Sequence, residues 1–138
     1  MTTKAIATIR NIIEKDTIVQ SNLSKYEGEP ALTFQTAQND MKMPYVVMRI
    51  ESNNPDDIEV IDRMILNFDI YCGQGDYEKA DVISSRIEHL LDREAGLLRD
   101  SGIITIHRAG SITVPDEDPS IIHISIKFLV RVGRMELY

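Results

Sequence analysis

The chain has 138 residues, 43% hydrophobic and 27% charged, the balance of a folded globular protein and not of a disordered or fibrous one. Its formal net charge of −7 disfavours capture of nucleic-acid phosphates by the average field of the molecule, leaving only a local basic patch as a route to such binding. The single cysteine, Cys72, cannot close an internal disulfide, no stretch approaches the roughly 20 apolar residues of a membrane helix, and the N-terminus lacks a secretory pattern, so cytoplasmic folding as one domain over residues 1–138 is expected.

Ile6, Ile9 and Ile13 recur at three and four residues, with Ile12 beside them, and predict a helix over about Thr3 to Lys15. From Ser21 to Lys42 the sequence is mixed. Gly28 and Pro30 mark a turn, Ala31 to Gln35 reads as a short strand, and Thr36 to Lys42 as a loop. Pro44 then opens a strand, Tyr45 to Glu51. Val46, Met48 and Ile50 lie on one face of it, and Tyr45, Val47, Arg49 and Glu51 on the other. Ser52 to Asp57 is turn-rich, and a second strand follows over about Val60 to Cys72. These two strands are expected to pair as an antiparallel hairpin whose length carries it past the body of the domain as an arm.

Gly73-Gln74-Gly75 breaks the strand. Asp76 is placed to cap a helix running to about Arg93, with Ala80, Ile83, Ile87, Leu90 and Leu91 as its buried stripe. Ile103 to Arg108 reads as a third strand and Ser111 to Ser120 as an acidic loop. The last strand alternates most cleanly. Ile122, Ile124, Ile126, Phe128, Val130 and Val132 face one way, and His123, Ser125, Lys127, Leu129 and Arg131 the other. The pattern predicts an α+β fold: a two-layer sandwich with a mostly antiparallel sheet of four to five strands and two helices packed on one face.

No catalytic, cofactor-binding or metal-ligating constellation outweighs its structural reading. His107 and His123 would approach each other if the last two strands pair, yet both occupy outward strand positions, as surface histidines do. Cys72 lies near a helix start, which is one way to activate a thiol, but it also fits as apolar filler at a strand end. Gly73-Gln74-Gly75 lacks the third glycine of a dinucleotide loop, whose place Glu78 takes, and lacks a Walker lysine. The acidic groups Glu51, Asp56, Asp57, Glu59 and Asp62, and Asp116 to Asp118, lack the calcium-loop spacing and read as solvated loop charge. Tyr45, Tyr71 and Tyr77, with Val47 and Ile65 expected to be exposed, mark a candidate contact surface, and apolar residues on both faces of a strand suggest either a second covering layer or a protein interface. The expectation is a protein-assembly module with no cofactor and no enzymatic activity. Outside that class stands a cytoplasmic metal-binding enzyme or regulatory subunit using His107 and His123.

Several stretches carry a more specific likeness. They are Met43-Pro44-Tyr45-Val46-Val47, Leu66-Asn67-Phe68-Asp69-Ile70-Tyr71, Asp76-Tyr77-Glu78-Lys79-Ala80, Ile87-Glu88-His89-Leu90-Leu91, and the closing strand Ile124 to Val132. Together with the first helix they resemble the tail completion proteins of long-tailed bacteriophages, the tail terminator and tail-to-head joining family. Residues 94–120 carry less of the resemblance. It implies a structural virion protein that assembles as a ring, usually of six copies, on the head-proximal end of the tail tube. The ring would stop tube growth and offer a docking face to the head. The implied partners are the chain itself, the tail tube protein and a head-tail connector or neck protein. DNA would pass through without specific binding, and no membrane is involved. Assembly would take place in the host cytoplasm. The residues expected at inter-subunit or tube contacts are Tyr45, Val47, Arg49, Ile65, Asn67 and Tyr71, and Asp56, Asp57 and Glu59 would form a channel-facing acidic loop. A neck or head-completion adaptor of the same particle is the neighbouring alternative.

Overall fold

A computed structural model describes residues 2–37, 40–55, 61–92, 94 and 101–133. In chain order these form α1 (Thr2–Lys15), α2 (Thr17–Asn22), β1 (Lys25–Tyr26), β2 (Glu29–Pro30), β3 (Leu32–Phe34), β4 (Tyr45–Pro55), β5 (Ile61–Gly73), a 3₁₀ turn (Gln74–Asp76), α3 (Tyr77–Leu91), β6 (Ile103–Val114) and β7 (Ile121–Gly133). The fold is α+β, as the alternation predicts. The main sheet has five strands in the order β3-β4-β5-β7-β6, and β1 and β2 form a separate two-stranded ribbon. All pairings in the main sheet are antiparallel except β3 with β4, which is parallel.

The helix-facing side of the sheet follows from the period-2 pattern. Val46 and Met48 of β4, Met64, Leu66, Phe68, Ile70 and Cys72 of β5, and Ile124 to Val132 at alternate positions of β7 are buried there. Phe68 and Phe128 meet edge to face at 5.8 Å between ring centroids. Helix α3 lays Ala80, Ile83, Ile87 and Leu91 on this surface, and α1 adds Ala5, Ile6, Ile9 and Ile13 to the same core. At the edge strand β3, Arg10 of α1 takes one carbonyl, its Nη2 donating to Leu32 O at 3.1 Å, and leaves Phe34 exposed.

Among the described residues three helices, not two, contribute to that core. The extra one is α2, and Asp16 starts it. Its carboxylate accepts from the Val19 amide at 3.1 Å in N-cap fashion. The same carboxylate takes a bidentate bond from Arg86 of α3, at 3.0 Å from Nε and 2.9 Å from Nη2. Arg86 holds the Asp16 carboxyl below the ordinary carboxylate range, and the Val19 amide acts in the same direction. Asp76, by contrast, precedes α3 without a side-chain cap bond, because the 3₁₀ turn runs directly into the helix.

Two other expectations change. β6 does not end at Arg108 but continues to Val114 beside β7, through register shifts at Ile104 and Ala109. These irregularities break the alternation that makes a strand legible. And β5 is not part of a projecting arm. It is paired with β7 from Ile61↔Gly133 to Gly73↔Ile121, and with β4 on its other side, so it lies at the centre of the sheet. The hairpin tip around residues 56–60, which includes Asp56, Asp57 and Glu59, lies outside the described residues.

Candidate interaction surface

No described helix packs on the second face of the sheet, and every residue expected at a contact, Tyr45, Val47, Arg49, Ile65, Asn67 and Tyr71, is placed on it. The cross-strand register assembles them into rows. At one end Tyr45, Tyr71 and His123 stack across β4, β5 and β7. Their ring centroids are 5.1 Å apart for the tyrosine pair and 4.2 Å apart for Tyr71 and His123. Burial of the two phenols pushes their pKa values up.

The next rows are polar and interlocked. Arg49 Nε donates to Asp69 Oδ2 at 3.1 Å, and His123 Nε2 lies 3.0 Å from Asp69 Oδ1. With its amide turned so that the nitrogen faces Glu51, Asn67 bridges two charges, donating to Glu51 at 3.1 Å and accepting from Arg49 Nη2 at 2.8 Å. Lys127 closes the row on Glu51 at 3.1 Å. As a result Asn67 is 1% exposed and Asp69 4%, although this side of the sheet carries no described covering layer. Their long neighbours roof them over. Below this network Ile65 and Leu129 sit side by side, half-buried. At the far end Arg63 and Arg131 are direct cross-strand neighbours.

The network adds Asp69, Glu51, His123, Ser125 and Lys127 to the surface, none of them expected as a contact residue. A signal for them is present in the sequence. Asn67, Asp69 and Tyr71 repeat at period two along β5, opposite Ser125 and His123 on β7, and only strand order tells that β5 and β7 are neighbours.

Among the described residues the face is a charge-compensated network of directed side-chain bonds. His107 and His123 lie on paired strands but are staggered. His107 is opposite Leu129 and His123 opposite Val114, so about 20 Å of strand separates them. Among the described residues no group of three or more His, Cys, Asp or Glu side chains is placed to hold a metal ion. Cys72 is fully buried and burial raises its thiol pKa, the reverse of nucleophile activation. No described helix is long and apolar enough to cross a membrane.

No protein-family model matches the chain, and no curated protein matches it in sequence. Among solved structures it is similar to a chain from the virion of a native gene transfer agent (GTA) particle, with a TM-score of 0.67 over 91% of each chain and 10% sequence identity. That likeness is one of fold.

Proposed function

We propose that this chain is a structural virion protein that caps the head-proximal end of a phage-type tail tube as a ring, a hexamer when assembled, stops tube polymerisation and presents the docking face for the head-tail connector or neck. The observation that carries the reading is the shared fold with a chain of a gene transfer agent virion over nine-tenths of both chains. The likeness of its strands and of helix α3 to tail completion proteins points the same way. In this reading the chain has no catalytic role, and the open sheet face with Tyr45, Val47, Arg49, Ile65, Asn67 and Tyr71 meets a neighbouring subunit or the tube. The acidic residues Asp56, Asp57 and Glu59 face the channel, where negative charge lets DNA pass without sticking.

The test is electron microscopy of particles produced without this gene. Overlong tails unattached to heads are expected. Tails of normal length beside unattached heads would replace the cap by a neck or joining role in the same particle. Normal infectious particles would remove the virion reading altogether.

A further inference from the structure

The main sheet ends in β3 on one side and β6 on the other, and among the described residues each of these strands pairs only inward. Both edges carry exposed apolar side chains, Phe34 (37% exposed) on β3, and Ile104 (43%) and Ile112 (58%) on β6. An open strand edge with exposed apolar residues is a template for another strand. We propose that one copy of this chain fills the edge of the next, β6 of each pairing antiparallel with β3 of its neighbour in a head-to-tail ring. This rests on the ring reading above and names the contact that would build the ring.

Three features of the sheet favour a second copy as the occupant. The first is direction. β3 runs with β4, and the pairings β4-β5, β5-β7 and β7-β6 are all antiparallel, so β3 and β6 point in opposite senses. Copies that stand side by side in the same orientation therefore offer each other antiparallel edges. The second is level. Following the rungs across the sheet, Phe34 aligns with Met48, Phe68, Ile126 and Ser111, and Thr33 aligns with Val47, Asp69, Ser125 and Ile112. A closed ring has no rise from copy to copy, so edges at the same level meet, whereas edges at different levels would wind into a filament. The third is regularity. Both irregularities of β6 lie before Gly110, and Ser111–Thr113, which is level with β3, lies within the stretch Gly110–Val114 of unbroken register. Bulges protect the lower part of the edge and leave this part able to pair.

A different protein would need only one of the two edges. A two-fold pairing of β6 with itself would leave Phe34 uncovered. Only the head-to-tail contact uses both.

Cysteines at Phe34 and Ser111 test the contact. Cross-strand neighbours lie within disulfide reach, both positions are exposed, and the native Cys72 is buried and does not compete. Oxidation of concentrated F34C/S111C protein is expected to give a ladder of covalent oligomers on a non-reducing gel, while each single variant stays monomeric. Adding Ile112→Lys, an exposed position that leaves the fold intact, is expected to abolish the ladder. Absence of oligomers in the double variant overturns the contact. Covalent dimers from Ser111→Cys alone overturn it in favour of a two-fold edge. A ladder that survives Ile112→Lys overturns the rung assignment. The cap reading fails separately. A ladder from a protein whose loss leaves tails normal keeps the edge contact and removes the cap, and overlong tails without a ladder keep the cap and remove the edge contact.

Discussion

The two faces of the sheet are made by the same strands and obey different physics. On the helix side, Met48, Leu66, Phe68, Ile126 and Phe128 are fully buried among aliphatic side chains from α1 and α3. On the other side the equally central positions of β5 hold Asn67 and Asp69, and these are hidden by Arg49, Glu51, Lys127 and the tyrosine-histidine stack. The first face is held by area removed from water and close packing. The second is held by directed bonds, each of which needs its partner in place. Packing of the first kind tolerates little change in volume. A surface of the second kind stays in contact with water and remains available for a partner.

The contrast breaks most sharply at Phe68. Phe68→Ala removes a fully buried ring and its edge-to-face contact with Phe128, and should cost about 3–5 kcal/mol in urea unfolding. An effect below that of a surface change would mean that the helix layer does not pack as described. One residue further along the same strand, and so on the opposite face, no such cavity forms. Asp69→Asn keeps the shape and removes the charge that Arg49 and His123 bond to, and should cost about 1–3 kcal/mol in the same measurement. A cost equal to that of Phe68→Ala would make the open face a second core and would erase the distinction.

The smallest effect is expected within the helix layer, at the ion pair that joins α3 to the start of α2. Asp16→Asn weakens the bidentate bond from Arg86 while keeping an N-cap acceptor for Val19, and should cost about 1 kcal/mol or less at neutral pH. The Asp16 pKa is lowered by folding from its ordinary 3.8, so the stabilisation it gives is complete above that value and is lost as pH falls through the folded-state pKa. Wild type and Asp16→Asn should therefore converge in stability on acidification below about pH 4. A difference that is constant with pH would mean that the charge of Asp16 contributes nothing.

The helices α1 and α3, the strands β4, β5 and β7, and the set of residues that share the open face are legible because each has its own local period. Ile6, Ile9 and Ile13 mark a helical stripe, and Ile122 to Val132 mark a strand, without knowledge of the rest of the chain. α2 is not legible, because its six residues hold one buried side chain, Val19, and its stability comes from Asp16 meeting Arg86, 70 positions away. The second half of β6 is hidden because the shifts at Ile104 and Ala109 reverse which residues face the core, and most of Arg108–Thr113 is exposed. The misplaced arm has the same origin. A long strand looks the same whether it projects or lies at the centre, and only its pairing with β7 decides.

Alternation and helical spacing by themselves determined the α+β class, the buried face of each long strand, and the set of side chains on the open face, since these depend on neighbours one to four residues apart. The order β3-β4-β5-β7-β6, the parallel edge, the Asp69–His123 and Glu51–Lys127 links and the common level of the two sheet edges were decided only in the tertiary structure. Each joins segments far apart in sequence. Which segments meet is set by how the whole chain buries its apolar faces at once, not by any local preference.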